Sequence, residues 1–276
     1  MIRHLRPARA IWGLSMLAMA AAAGHSLNAA GTACAARSGA GTVALVELYT
    51  SEGCNSCPPA DRWLAATFRG PGDAARAIPL AFHVDYWDRL GWKDRLAMPA
   101  YAERQYAAMR ANRSRFVYTP QALFQGRDFP GWRGTGRGVG GAIAAVNARP
   151  ARAEIALEAA PQTGGLRVKA TVRVPGAADR KGATTYVALV ESGLVSDVKA
   201  GENAGSRLVH DHVVRVLHAG PAVDAAGASV TEATLAWPAE AGTDATVVAF
   251  VQNTDTGDVL QALALPLAAP GCTLRR

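Results

Sequence analysis

The sequence predicts an α/β sheet with helices on its faces, followed by an antiparallel all-β region of sandwich type. Three observations predict it. Across residues 43–146, short aliphatic runs alternate with segments of helical period, the pattern of an α/β unit. After Asn147-Ala148-Arg149-Pro150 the helical period disappears, and seven short strand-like runs follow. The length of 276 residues suits two domains, and 50% hydrophobic against 18% charged residues excludes disorder as the main state. The predicted organisation is a signal peptide over residues 1–30, an α/β domain over 31–150 and an all-β domain over 151–276.

The leader comes first. Arg3, Arg6 and Arg9 precede residues 10–23, an apolar stretch in which Ser15 is the one polar residue, and small residues then lead to Ala29-Ala30. This is the order of a secretory signal, and the stretch falls short of the ~20 residues that span a bilayer. A retained N-terminal anchor and acylation at Cys34 are the alternatives. The expected product is periplasmic or secreted, meeting the membrane only through a redox partner. The formal charge is +7, but without the three leader arginines 26 basic residues face 22 acidic ones, too mild a balance for a nucleic-acid binder.

Residues 43–49 form an aliphatic run that ends in Thr50-Ser51-Glu52-Gly53, a strand entering a turn. From Pro58 the positions Ala60, Trp63, Leu64, Thr67 and Phe68 recur with helical spacing, and proline suits a first helical turn. Gly70-Pro71-Gly72 stops this helix, residues 78–84 read as a second strand, and Met98, Tyr101, Ala102, Tyr106 and Met109 mark a second helix. Thr119-Pro120 precedes a short strand over 121–125, and Val139, Ala142, Ile143 and Val146 mark a last helix. The all-β strands are expected at 153–159, 166–174, 184–191, 207–217, 230–237, 246–252 and 259–265, the last two joined by a hairpin at Asn253-Thr254-Asp255-Thr256-Gly257.

Cys34, Cys54, Cys57 and Cys272 make an even set in an exported chain, which permits three pairings. Cys54-Asn55-Ser56-Cys57 is a C-x-x-C that can close a short, readily opened disulfide at a helix start. Cys34 and Cys272 then remain as a structural bridge between the termini. At a helix N-terminus a thiolate is stabilised by unpaired amide donors and the helix dipole. Cys54 is therefore expected to be the solvent-facing nucleophile, and Cys57 the resolving thiol held beneath Thr119-Pro120. A permanent brace of the turn is the alternative.

The segments Val46-Glu47-Leu48-Tyr49-Thr50-Ser51-Glu52-Gly53-Cys54-Asn55-Ser56-Cys57-Pro58-Pro59-Ala60-Asp61, Phe82-His83-Val84-Asp85-Tyr86-Trp87-Asp88, Gly91-Trp92-Lys93-Asp94, Val117-Tyr118-Thr119-Pro120-Gln121 and Leu208-Val209-His210-Asp211-His212-Val213-Val214-Arg215 resemble a bacterial family of secreted thioredoxin-like proteins of unassigned function. The resemblance implies a thioredoxin-like fold for the first domain, and a cis-proline loop at Thr119-Pro120 beside the cysteines. From the residues alone, Pro120 reads as a trans proline at the start of a strand.

Glu47, inside an apolar run, is a candidate acceptor for the Cys57 proton; a structural partner such as Lys93 or an arginine is the equal alternative. Asp85, Tyr86 and Trp87 end the second strand, where sheets of this kind carry their sites, and are candidates for the substrate groove or for loop packing. Three further signals are weaker. Gly136-x-Gly138-x-x-Gly141 lacks the βαβ setting of a dinucleotide site, the seven arginines from Arg104 to Arg137 read as a solvated face, and His210 and His212 share one face of the strand expected at 207–217. The expected function is thiol-disulfide exchange with protein thiols or disulfides, without a cofactor or metal. Soft-metal handling by the same C-x-x-C and a non-catalytic binding module are the alternatives.

Overall fold

The structure is a computed structural model and describes residues 1–2, 34–69, 73–134, 137–237, 244–268, 272 and 274. The leader beyond Ile2, its cleavage site and Gly136 of the glycine motif lie outside the described residues. In chain order the elements are β1 (Cys34–Arg37), β2 (Ala44–Thr50), α1 (Pro58–Thr67), α2 (Asp73–Arg76), β3 (Ala77–His83), α3 (Pro99–Ala111), β4 (Gln121–Phe124), β5 (Arg127–Asp128), α4 (Arg137–Asn147), β6 (Glu154–Gln162), β7 (Gly165–Arg173), α5 (Ala177–Arg180), β8 (Ala183–Glu191), β9 (Leu194–Asp197), β10 (Arg207–His210), β11 (Val213–Ala222), β12 (Ala228–Ala236), β13 (Ala245–Asn253) and β14 (Val259–Pro266). The architecture is mixed α/β, mostly sheet. Among the described residues, no helix is long and apolar enough to cross a membrane.

An eight-stranded sheet of order β14-β13-β8-β11-β3-β2-β4-β5 runs through both halves of the chain. β2 and β3 are parallel, and every residue of both is buried, as their mainly apolar runs require of strands covered on two faces. β4 pairs with β2 antiparallel. On one face, Ala44, Val46 and Leu48 pack against Ala60 and Leu64 of α1, Phe68 just after it and Ile143 of α4. On the other, Leu45, Tyr49 and Phe82 pack against Tyr101 and Ala102 of α3. The strand alternation thus divides β2 between two cores.

The break expected at residue 150 does not separate two compact units: Gly31–Arg276 forms one. Left alone, β3 would expose an apolar edge, and such edges are normally covered. Here the second half covers it. Val213 of β11 pairs with Ala81, the Ala81 N–H donates to the His212 carbonyl at 2.7 Å, and the Tyr101 hydroxyl donates to the Val214 carbonyl at 3.0 Å. The expected sandwich exists within this arrangement. A sheet of order β1-β6-β7-β12 buries Leu157, Val168, Val172 and Leu235 against Val187, Leu189, Val247 and Val251 of the large sheet.

The strand expected at 207–217 is two strands. His212 takes a left-handed φ of 59° between β10 and β11, a region that His and Asp visit more readily than most residues. The Ser192 hydroxyl receives the His212 N–H, and the Asp211 carboxylate receives the Gly193 N–H, so the break is held from the turn between β8 and β9. Upstream of it, β10 pairs with β9 as a separate two-stranded sheet. The loop of that hairpin lies on the cysteine turn.

Candidate functional site

The turn that carries the cysteines follows from its composition. Gly53 passes close to Trp87, where a side-chain Cβ would come within 3.0 Å of the Trp87 Cβ. Ser51 stabilises the turn with its hydroxyl on the Gly53 N–H and its carbonyl on the Cys54 N–H. Cys57 caps α1, and Pro58 and Pro59 fill the first turn, where the N–H they lack has no helical partner in any case. Cys54 and Cys57 are joined by a disulfide with a Cα–Cα distance of 5.4 Å, and Cys34 is joined to Cys272 at 5.1 Å.

The surroundings of the Cys54 sulfur are polar. Ser56 Oγ lies 3.3 Å from it, and the Thr119 hydroxyl donates to it at 3.4 Å. Thr119 in turn accepts from Trp87 Nε1 at 2.7 Å, and the Thr119–Pro120 bond is cis. Tyr86 supports this loop indirectly. Its hydroxyl donates to Gln105 Oε1, whose amide donates to the Tyr118 carbonyl and to Gln121 Oε1, and burial pushes the Tyr86 phenol up to about 12. Of the expected groove residues, Trp87 thus adjoins the disulfide and Tyr86 braces the Thr119-Pro120 segment. Asp85 opens the 3-10 turn Asp85–Leu90, half-buried, and bonds to neither cysteine.

Three expectations need correction. Cys54 is not solvent-facing, since both cysteines are fully buried in this disulfide state, and the Thr119 hydroxyl donates to its sulfur. Glu47 faces away from α1. It shares the face of Leu45 and Tyr49, accepts from the Tyr49 hydroxyl at 2.9 Å, and pairs with Arg104. The Arg104 guanidinium is enclosed by the rings of Phe82, Tyr186 and Phe250, each 5.0–5.4 Å from its carbon, and also donates to Gln252. Arg104 is therefore a core residue and not part of a solvated face, and Lys93 is exposed without contact to Glu47. A carboxylate on a fully buried strand needs a countercharge, and α3 supplies it.

On the cysteine side of β2 lies a different set of ionisable groups. Asp94 Oδ2 sits 2.7 Å from His83 Nδ1 and also accepts the Glu52 N–H at 2.9 Å. Glu52 accepts from Trp92 Nε1 at 2.7 Å and lies 3.3 Å from His210 Nε2, while the rings of His83 and His210 meet edge to face at 4.8 Å. Burial opposes ionisation of Asp94, but His83 and the backbone donors outweigh it and hold the carboxyl down at about 2. His83 is raised because Asp94, Asp61 and Glu52 outweigh its desolvation. Glu52 is lowered despite burial, by its bonds to His210 and Trp92. Asp61 stands one helical turn after Cys57, and burial pushes its carboxyl up against the opposing pull of His210 and His83. Among the described residues, no three His, Cys, Asp or Glu side chains are grouped so as to hold a metal.

The second half of the chain completes the site, which sequence reasoning missed. Asn203, in the loop between β9 and β10, is buried, and its Nδ2 donates to the carbonyls of Glu52 at 2.8 Å and Cys54 at 3.0 Å. Its neighbour Glu202 accepts the Asn55 N–H at 3.2 Å. His210 points inward to Glu52, whereas His212 meets the edge of Phe68, so the two histidines do not share a face. The signal that could have found this contact was the segment 208–215, which resembled the same family as the cysteine segment.

Residues 45–252 match the protein family described as "Protein of unknown function (DUF1223)". The chain belongs to this family. Two solved structures resemble this DUF1223 chain. Protein AGR_C_4864 from Agrobacterium tumefaciens is 27% identical with a TM-score of 0.58, over 85% of this chain and 97% of that one. HBP35 of Porphyromonas gingivalis is 15% identical with a TM-score of 0.63, over 87% of this chain and 79% of that one, a likeness of fold alone. No curated protein matches the DUF1223 chain.

Proposed function

We propose that this DUF1223 protein is an exported thiol-disulfide oxidoreductase built on a thioredoxin-like segment, residues 43–147, that acts on protein thiols or disulfides. The observation that carries the reading is the position of the Cys54–Cys57 disulfide. It sits at the start of α1, with the Thr119 hydroxyl on the Cys54 sulfur and the parallel pair β2–β3 behind it. Strand, C-x-x-C, helix and parallel strand followed by an antiparallel strand after Thr119-Pro120 is the order that a thioredoxin-like unit has. Export is supported by the leader sequence, and by two disulfides of the kind that persist in oxidising compartments.

In the reducing direction, the Cys54 thiolate attacks one sulfur of a substrate disulfide, forms a mixed disulfide and releases one substrate thiolate. Cys57 then loses its proton and attacks the Cys54 sulfur. The Cys54–Cys57 bond closes, the second substrate thiolate leaves, and two electrons have passed to the substrate. Asp61, one turn from Cys57 on the cysteine side of the sheet, is the carboxyl this reading assigns to receive that proton, in place of Glu47. Oxidation of a substrate dithiol is the same sequence reversed.

The test is whether the pair exchanges. Equilibrated with glutathione redox buffers, the Cys54–Cys57 couple should interconvert fully between disulfide and dithiol, and Cys57→Ser should accumulate Cys54 mixed disulfides with a model peptide disulfide. A couple that dithiothreitol cannot open without unfolding the protein, or a Cys57→Ser variant that forms no adduct, overturns the reading and leaves the disulfide as a brace.

A further inference from the structure

A thiolate at a helix start is stabilised by the backbone N–H groups that the turn leaves unpaired, and a carboxylate that takes one of these donors works against it. In this chain one such donor is taken. The N–H of Asn55, between the two cysteines, donates to Oε2 of Glu202, a residue 147 positions further along the chain. Asn203 fixes the carboxylate there, because its buried amide bonds the carbonyls on both sides of Gly53, those of Glu52 and Cys54. The loop is braced from within as well. The Val198 N–H donates to the Ser206 carbonyl, the Gly205 N–H donates to the Val198 carbonyl, and Gly201 turns with a φ of +73° beside Trp92.

We propose that Glu202 is a positioning residue for the redox couple: held by Asn203 at the Asn55 N–H, it sets a negative charge where the Cys54 thiolate forms and biases the protein toward reducing its substrates. The inference rests on the thiol-exchange reading and adds a direction to it. A dithiol whose thiolate is poorly stabilised gives up electrons more readily, just as a strongly stabilised reduced form makes an oxidant. Each substrate disulfide reduced takes two electrons from Cys54 and Cys57, and a dithiol donor on the same side of the membrane restores them by the reverse exchange. The other ionisable groups around the turn are Glu52 with His210, Asp94 with His83, Asp61 on α1 and Asp85 at the 3-10 turn. All of them remain when Glu202 alone is changed.

Glu202→Gln keeps the shape of the side chain and an oxygen for the Asn55 N–H while removing the charge. Two readouts follow in the full chain: the equilibrium of Cys54–Cys57 with glutathione, and the pH dependence of Cys54 alkylation in a Cys57→Ser background. The expected fall in the Cys54 pKa is about half a unit, the scale for unit charges about 5 Å apart at the dielectric of water, or roughly threefold more thiolate. At a pH above the Cys54 pKa, the glutathione equilibrium should move toward the dithiol by a similar factor. Glu202→Lys should move both readouts further in the same direction, and 1 M salt should shrink the difference between variants. Asn203→Ala should reproduce the effect of Glu202→Gln, which should then add nothing in that background. A wild-type couple that exchanges normally while Glu202→Gln and Glu202→Lys leave its pKa and equilibrium unchanged overturns the role of Glu202 and spares the thiol-exchange reading. A wild-type couple that does not exchange at all overturns both.

Discussion

The two disulfides are the same bond in opposite settings. Cys34–Cys272 joins β1 to the last described stretch of the chain, 238 positions apart, and lies in the apolar cluster with Leu157, Val168 and Leu267. Cys54–Cys57 spans three positions, and its Cys54 sulfur meets the hydroxyls of Ser56 and Thr119. Both are buried, so exposure does not distinguish them. What differs is whether a thiolate would find partners. Around Cys34 and Cys272 it would meet hydrocarbon, which penalises the charged form, whereas around Cys54 it would meet donors already in place.

The sharpest way to break this contrast is to remove each bond separately. Cys34→Ser with Cys272→Ser should lower the unfolding free energy by up to about 5 kcal/mol, the chain-entropy scale for so long a loop, while the folded protein keeps its thiol exchange. Cys54→Ser should abolish exchange and change the urea midpoint far less, since a four-residue loop constrains the unfolded chain little. Loss of exchange in the first variant while it remains folded would show that the terminal bridge shapes the site.

The carboxylates on the two faces of β2 repeat the contrast. Glu47 is part of a closed box with Arg104 and three rings, and Arg104→Met should cost about 3–5 kcal/mol because a buried charge loses its partner. Glu47→Gln, if its fold holds, should leave the Cys54 pKa unchanged, and a shift in that pKa would restore Glu47 to the proton path. Asp94 and His83 should behave differently, through pH. Asp94 is held at about 2, below its ordinary 3.8, so its stabilisation is present above 3.8 and lost as the pH falls through about 2. His83 is raised above its ordinary 6.5, so its share is present below 6.5 and lost as the pH rises through its folded value. The pair therefore contributes most between about pH 4 and 6.5, on the order of 2 kcal/mol. In urea titrations from pH 2 to 8, Asp94→Asn should lower stability most in that window and flatten the falls on either side of it, and a parallel profile would show that the pair carries no pH dependence.

How much of this was legible depended on whether the signal was local. The runs that became β2, β3 and α1 are read from the spacing of their apolar residues, and the C-x-x-C from four consecutive positions. Glu47 shows the limit. Its parity with Leu45 and Tyr49 could be read along the strand, but which face of β2 receives α1 is decided by the path of the chain between strands. The break at His212 was hidden for a related reason, because the Ser192 and Asp211 bonds that hold it come from residues about 20 positions apart with no glycine or proline at the break. β9 is only four residues, Leu-Val-Ser-Asp, whose apolar and polar residues do not alternate although their burial does, so the hairpin that brings Asn203 and Glu202 to the cysteines was invisible element by element. The missing domain boundary follows from the same fact. The apolar sequence of β3 announces that it needs covering on both sides but not which strand covers it.

The finest distinction between the two disulfides is the hydroxyl of Thr119, for which Cys34–Cys272 has no counterpart among the described residues. Thr119→Val keeps the branched shape while removing the donor to the Cys54 sulfur and the acceptor for Trp87 Nε1. Two modest bonds are lost and one indole N–H is left to find water, so stability should fall by about 1 kcal/mol. The larger information lies in the chemistry. If the hydroxyl supports a developing thiolate at Cys54, the Cys57→Ser background should show a Cys54 pKa higher in Thr119→Val than in the parent, and mixed-disulfide formation at pH 7 slower by roughly two- to fivefold. Thr119→Ser should restore both, because it returns the oxygen without the methyl. Equal pKa values in Thr119→Val and Thr119→Ser, with the same small loss of stability in each, would reduce Thr119 to a packing contact.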